Sequence, residues 1–176
     1  MTTPLTEAEL LACLTEMGIP YTHHTHPPLF TVEDSRALRG GLPGAHCKNM
    51  FLKAKSGDLI LVTCEESRKI RIRDLEREIE QRKCSFAKPE LLLEALGVTP
   101  GAVTPLALFN DKAQRVTFVM DAQLVEADIL NCHPLHNAAT VAIAMADMMR
   151  ILKAIGHTPR LVDFDELEEK ARQAAA

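Results

Sequence analysis

The stretch NMFLKAKSGDLILVTC, residues 49–64, decides the fold that the sequence predicts. Its two apolar runs, NMFLKAK and LILVTC, have the composition of strands, and the intervening Ser56, Gly57 and Asp58 are typical of a tight turn. Because the connection is so short, we expect two adjacent antiparallel strands.

Further elements are predicted on both sides of this hairpin from the spacing of apolar residues. Thr6 with Glu9 forms a capping-box pattern in front of a first helix, and Thr31 with Asp34 caps a second. The other expected elements are a strand around 21–26, helices in 73–84 and 89–97, strands in 106–109 and 115–121, a strand-to-helix segment in 139–157, and a strand in 160–164. This mixture predicts an α+β domain around a mixed sheet.

Size and composition limit the possible classes of protein. The 176 residues, 47% of them hydrophobic, fit one domain, 1–176, with a charged, fraying tail from about 166 to 176. A net charge of −4 argues against coating nucleic acid by bulk electrostatics, so any contact should be local and no DNA partner is expected. Five cysteines without a CxxC pair indicate reduced thiols and a cytoplasmic location. No secretion leader or membrane span is expected.

A metal site is the first chemical hypothesis, because histidine and cysteine are metal ligands. The candidates are His23, His24, His26, His46, Cys47, Cys132, His133 and His136. Pro134 disfavours the helix that would bring His133 and His136 onto one face, and no second close pair completes a tetrahedral set. The prediction is therefore that the protein binds no metal.

Lys48 stands at the entrance of the first hairpin strand, in PGAHCKNMFLK. It can be a solvated edge charge or a residue that holds a substrate. A lysine beside Cys47 could also activate that thiol, but alternation along a strand favours side chains that point away from each other. A covalent mechanism through the cysteine is not expected.

Two loops offer groups that could bind a polar ligand. In GAVTP, Gly101 and Pro105 flank a turn whose main chain could contact a small molecule, although a simple helix-to-strand connection explains it equally well. In HPLHNAAT, His133 and Asn137 offer donors and acceptors before a strand. A turn histidine with satisfied hydrogen bonds is the alternative there.

A basic segment, SRKIRIRD at 67–74, precedes an acidic helix. In an extended chain Arg71 and Arg73 would lie on one side, which suits contact with phosphates. A solvated charged face is an equally good interpretation.

The order of four motifs is more specific than any one of them. HPPLFTVEDS, LPGAHCKNMFLK, GVTPGAVTPLALFND and HPLHNAATVAI together resemble the YbaK/prolyl-tRNA-synthetase-associated editing domain family, and most closely its free-standing members that deacylate alanyl-tRNA(Pro). The resemblance covers about residues 5–165. It implies a mixed, strongly curved, partly barrel-like sheet flanked by helices.

The resemblance also assigns roles to residues. It implies Lys48 as the catalytic position, and Gly101, Ala102, Pro105, His133 and Asn137 as substrate-binding positions. His136, where an apolar residue is usual, would lie beside the amino-acid pocket and affect its preference.

The implied reaction is hydrolysis of the ester between a wrong amino acid and the terminal ribose of tRNA, without a cofactor. The implied partners are the acceptor end of tRNA(Pro) and prolyl-tRNA synthetase. From the charge pattern, we expect Arg71 and Arg73 to contact phosphates of the acceptor stem. Cysteinyl-tRNA(Pro) or another small aminoacyl-tRNA is the alternative substrate. A binding module without catalytic activity is the alternative class.

Overall fold

The computed structural model describes residues 3–39 and 41–176. The strands are β1 (Thr22–Thr25), β2 (Ala45–Lys53), β3 (Leu59–Glu65), β4 (Ser85–Phe86), β5 (Val116–Asp121), β6 (Ile129–Cys132), β7 (Ala139–Ala144) and β8 (Arg160–Val162). The α-helices are α1 (Glu7–Glu16), α2 (Val32–Arg39), α3 (Ile72–Glu78), α4 (Pro89–Leu96), α5 (Met145–Ala154) and α6 (Phe164–Ala175). Short 3₁₀ helices cover Pro105–Asn110 and Leu124–Glu126.

The predicted hairpin is confirmed as β2 and β3, which pair antiparallel from Cys47 opposite Glu65 to Lys53 opposite Leu59. Gly57 in the connecting turn has a φ of +102°. Glycine adopts this conformation readily because it has no Cβ. The turn chemistry therefore sets the register of the longest strand pair in the sheet.

The sheet is mixed, as predicted. Its strand order is β1-β7-β6-β2-β3-β5-β8, and β4 pairs with β2 off this path. The pairs β2–β6, β3–β5 and β5–β8 are parallel, and the others are antiparallel. With helices packed against the sheet, the α+β prediction is confirmed.

Alternation along the strands separates two hydrophobic cores. Phe51 of β2 belongs to one core with buried residues of α1, α4 and α5. Met50 and Leu52 contact the other core, which includes Leu75 of α3 and Phe164 of α6. The sheet is therefore covered by helices on both faces.

One edge of β2 pairs with β3 along most of its length, whereas its other edge is only partly paired in the described part of the chain. It pairs with β6 at Ala45 and His46 and with β4 at Leu52 and Lys53. The close approach of β2 to β6 depends on Gly44, where a Cβ would lie 2.7 Å from Ile129 Cβ. Between these two pairings, residues 47–51 border a gap in the sheet.

In the second half of the chain, two sequence predictions about secondary structure are wrong. The apolar run 106–109 is not a strand but part of the 3₁₀ helix Pro105–Asn110, whose first turn is capped by the Thr104 hydroxyl, 3.3 Å from the Leu106 nitrogen. The expected fraying tail is instead α6, capped by the Asp163 carboxylate. Phe164 and Leu167 bury their side chains and hold this charged helix on the sheet.

In residues 3–39 and 41–176, no helix combines the length and the hydropathy that crossing a membrane requires.

Candidate functional site

A groove of about 210 Å³ opens beside the gap along β2. It brings together Lys48, Gly101 and His133, which are far apart in the sequence. The remaining lining residues are Leu29, Phe30, Thr31, Cys47, Asn49, Glu66 and Val103. Concave surfaces with a few polar groups on an apolar wall are the usual form of small-ligand sites.

Lys48 enters this groove from β2, and its ammonium donates a hydrogen bond to the main-chain carbonyl of Arg68. An ammonium has further N–H groups, so this contact orients the lysine without using all of its donors. Cys47, the preceding residue, lies on the other face, with its thiol 3.5 Å from the Asn131 carbonyl oxygen. The two neighbouring side chains thus have different hydrogen-bond partners, although both residues line the groove.

Gly101 is exposed and has a φ of +87°. A Cβ at this position would lie 3.6 Å from Asn137 Nδ2 and 3.9 Å from Phe30 Cδ1. Asn137 in turn donates from Nδ2 to the Leu29 carbonyl at 2.9 Å, and the Leu29 nitrogen donates to the Asn137 carbonyl at 3.0 Å. Asn137 therefore holds Leu29 and Phe30, which form one wall of the groove, next to the loop that contains Gly101.

His133 forms another wall of the groove. Its Nδ1 lies 3.0 Å from the Ala139 carbonyl oxygen, which only accepts, so Nδ1 donates a proton to that oxygen. The ring centroid of His26 is 6.3 Å away, and His26 Nε2 contacts the Thr140 hydroxyl at 2.8 Å. Main-chain and side-chain contacts thus fix both histidines.

A smaller cavity of about 40 Å³ adjoins the groove and shares Cys47, Asn49 and His133 with it. Its other lining residues are His46, Asn131, Cys132 and Thr140. Burial raises the pKa of the Cys132 thiol well above its ordinary value. Cys132 therefore contributes a neutral thiol to the wall of the cavity and not a nucleophilic thiolate.

A family model described as the aminoacyl-tRNA editing domain matches residues 26–151 of this chain. The chain belongs to this family. Its matched segment contains Lys48, the glycine loop and His133, so all walls of the groove lie within the editing domain.

Relatives of this chain support its assignment to the editing domain family. The chain is 38% identical to prolyl-tRNA synthetase associated domain-containing protein 1 of Danio rerio, over 89% of this chain and 86% of the relative. It is 34% identical to the prolyl-tRNA editing protein ProX of Acetoanaerobium sticklandii, over 88% and 95% of the two chains. A solved structure described as a candidate trans-editing enzyme for prolyl-tRNA synthetase superposes with a TM-score of 0.66 at 13% identity, over 90% and 96% of the chains.

Of the residues predicted to bind substrate, Asn137 supports a wall without lining the groove itself, and Ala102 and Pro105 lie behind the groove of this editing domain. Ala102 is buried in the core, and its N–H donates to the Thr99 carbonyl at 3.0 Å, so neither its methyl group nor its amide faces a ligand. Pro105 is buried at the start of a 3₁₀ helix. Both residues shape the loop that presents Gly101.

The predicted extended segment with Arg71 and Arg73 on one side is wrong, because α3 begins at Ile72. Arg71 is the N-cap residue and pairs with Asp74, with Nε 2.5 Å from Oδ2. Arg73 is exposed in the first turn of the helix. Neither arginine lines the groove.

His136, which the resemblance places beside the amino-acid pocket, lines neither the groove nor the small cavity. Its Nε2 lies 3.0 Å from Glu7 Oε2, and His23 Nε2 lies 2.6 Å from Glu7 Oε1. Partial burial raises the pKa of Glu7, but the hydrogen bonds and charges of the two histidines lower it below its ordinary value. Glu7 thus joins α1 to β1 and to the loop that carries Asn137.

No three His, Cys, Asp or Glu side chains are grouped as a metal site requires, within the residues that the structure describes. Cys64, on β3 opposite Lys48, has a pKa of about 12, raised mainly by burial. The charge of Lys48 acts in the opposite direction, but burial dominates.

Sequence reasoning missed two residues near the site. Phe30 is 75% exposed although it is aromatic and lies at the mouth of the groove. Arg68 belongs to the basic segment, but its guanidinium is largely buried among carboxylates and is not available to bind a phosphate. Neither property has a local signal in the sequence, since exposure and ion pairing depend on distant segments.

Proposed function

We propose that this editing domain hydrolyses mischarged tRNA, with alanyl-tRNA(Pro) as its main substrate. One observation carries the proposal: Lys48, Gly101 and His133 converge on a groove that continues into a cavity of about 40 Å³. We further propose that residues 1–176 act as one editing domain in the cytoplasm. The family and the names of the relatives support a role in tRNA editing.

An aminoacyl ester is already activated, so its hydrolysis needs a positioned water and stabilisation of the developing oxyanion. No protein nucleophile is required. In the groove, the exposed Gly101 lets the ester approach the main chain closely, and the vicinal hydroxyl of the ribose can assist the water. This scheme fits the neutral, buried Cys132 thiol beside the site.

Lys48 supplies the positive charge of the reaction in this proposal. If its ammonium polarises the ester carbonyl, the Lys48→Ala variant loses mainly kcat, because that contact strengthens in the transition state. If the ammonium instead binds a phosphate of the terminal nucleotide equally well in the ground state and the transition state, the variant has a higher KM and an unchanged kcat. Steady-state kinetics therefore separates the two roles.

The small cavity accounts for the choice of amino acid. A synthetase site built for proline cannot strongly reject the smaller alanine, and a second site can select by size. In this proposal the cavity of about 40 Å³ admits the methyl group of alanine and excludes the pyrrolidine ring of proline, so that correctly charged tRNA is spared.

The rest of the tRNA needs contacts outside the cavity. Phe30 presents an exposed ring at the mouth of the groove, and bases stack on such rings with little dependence on sequence. Arg71 and Arg73, at the start of α3, are the proposed contacts to acceptor-stem phosphates. Prolyl-tRNA synthetase is the proposed protein partner, because the relatives carry its name.

A deacylase of cysteinyl-tRNA(Pro) or of another small aminoacyl-tRNA is the nearest alternative. A module that binds aminoacyl-tRNA without turnover is the alternative from a different class. The cavity favours alanine over cysteine, since the thiol adds a further heavy atom to the side chain.

The test is deacylation of alanyl-, cysteinyl- and prolyl-tRNA(Pro) by the purified protein and by Lys48→Ala. We expect turnover of alanyl-tRNA(Pro) and a loss of about 10²-fold in the variant, the usual effect of removing one stabilising donor. Lys112→Ala, an exposed lysine in a distant turn, is the control. Binding without turnover of any substrate would establish the non-catalytic alternative.

A further inference from the structure

Arg68 lies in the loop between β3 and α3 and is enclosed by acidic and polar groups. Its Nε donates to Asp121 Oδ2 at 3.1 Å, and its Nη1 contacts Asp165 and, at 3.3 Å, Glu168 Oε2. The side chain is 12% exposed. Such a largely buried guanidinium has a fixed position, because its planar fork needs its partners in place.

The charge of this arginine is secure. Burial lowers the pKa of Arg68, but the hydrogen bond to Asp165 and the charge of Asp121 raise it further above its ordinary value. The guanidinium therefore stays charged throughout the physiological pH range.

Helix α6 holds both the side chain of Arg68 and the main chain of the loop in which Arg68 lies. Glu168 accepts from the Lys69 nitrogen at 3.2 Å with one oxygen and contacts Arg68 with the other. Asp165 and Glu168 are three residues apart and thus lie on one face of the helix. The position of the Arg68 peptide unit is consequently set by α6.

The carbonyl oxygen of that peptide unit accepts the hydrogen bond from the Lys48 ammonium. We propose that Asp165 and Glu168, through Arg68, position the Lys48 ammonium in the groove. This inference rests on the function proposed above, which makes Lys48 the substrate-contacting residue. Asp165, Glu168 and Arg68 are positioning residues and touch no substrate.

The physical need for such a support follows from the lysine itself. Its long aliphatic stem is flexible, and an ammonium that moves by about 1 Å can lose on the order of 10²-fold in rate. One fixed acceptor at the end of the stem restricts it while leaving other N–H groups for the substrate. A neutral carbonyl does this without placing a competing negative charge on the ammonium.

The test compares Asp165→Asn/Glu168→Gln with Glu166→Gln/Glu169→Gln. Both double variants remove two negative charges from α6, but only the first pair contacts Arg68. Single-turnover deacylation of alanyl-tRNA(Pro) is measured in each pair, with and without Lys48→Ala. We expect about a tenfold loss in the first pair, a rate close to wild type in the second, and no further loss when Lys48 is already alanine.

A second readout does not depend on activity. The rate at which an amine-reactive reagent modifies Lys48, followed by mass spectrometry of the folded protein, should rise several-fold in Asp165→Asn/Glu168→Gln and stay unchanged in the control pair. If that variant does not fold, Asp165→Asn alone replaces it, because Asp165 is largely exposed.

Each outcome decides the inference. Unchanged rates of deacylation and of Lys48 modification in the first pair would overturn it. An additional loss in the Lys48→Ala background would also overturn it, because the acidic pair would then act elsewhere. If the wild type deacylates no aminoacyl-tRNA, the proposed function fails, and the modification rates alone decide whether α6 positions the lysine.

Discussion

Cys47 and Lys48 are neighbours in the chain, yet they reach opposite faces of the sheet. The Cys47 thiol lies 3.5 Å from the Asn131 carbonyl oxygen, whereas the Lys48 ammonium donates to the Arg68 carbonyl. The two side chains therefore have different hydrogen-bond partners. This geometry favours a reaction in which water attacks the ester directly.

Gly101→Ala should lower activity more than Gly57→Ala does. Both glycines have a positive φ, so each substitution should destabilise the protein by roughly 1 kcal/mol. Only the Gly101 Cβ would stand in the groove, since Gly101 lines it and Gly57 does not. Urea unfolding and deacylation kinetics measure the two effects. Equal loss of activity in both variants would contradict a substrate contact at Gly101.

His133→Ala should relax the discrimination between alanyl- and prolyl-tRNA(Pro). Removing this ring, which lines both the groove and the small cavity, enlarges the cavity, and one altered wall of a size-selective pocket changes relative rates by about 10-fold or more. The ratio of kcat/KM for the two substrates is the measurement. His136→Gln, in the same loop but paired with Glu7, should keep the ratio of the wild type. An unchanged ratio in His133→Ala would remove His133 from the pocket.

Glu7→Gln should destabilise the protein at neutral pH and weaken its acid sensitivity. The folded-state pKa of Glu7 is below the ordinary 4.5, so its stabilising contribution is present above that pH and is lost as pH falls through the folded pKa. Urea unfolding between about pH 3 and 7 measures this dependence. Glu16→Gln, on the exposed end of the same helix, is the control. Parallel pH profiles for wild type and Glu7→Gln would show that the two histidines do not stabilise the carboxylate.

Arg71→Ala/Arg73→Ala should weaken tRNA binding in a salt-dependent manner. Each lost phosphate contact reduces the slope of log K against log salt concentration by about 1 and leaves selection of the amino acid unchanged. Fluorescence titration with tRNA at several salt concentrations gives the slope. Arg172→Ala, exposed on α6, removes one comparable charge as a control. An unchanged slope in the double variant would move the tRNA interface away from α3.

Local patterns predicted most of the secondary structure. The capping box of Thr6 and Glu9 and the cap from Thr31 to the Asp34 nitrogen are present, at 3.3 Å and 3.0 Å. The run at 106–109 was assigned wrongly because a short buried apolar segment has no distinguishing periodicity. Helix α6 was missed because its sequence is mostly charged, and two buried side chains decide its packing.

The sequence by itself determined the strand hairpin, the α+β class and the family, because these depend on spacing and on the order of motifs. It also singled out Lys48, Gly101 and His133. Only the tertiary structure decided that these three share a groove while Ala102 and Pro105 are buried behind it. It alone placed Arg68 between α6 and the lysine, since hydrogen bonds between segments about 100 residues apart leave no local pattern in the chain.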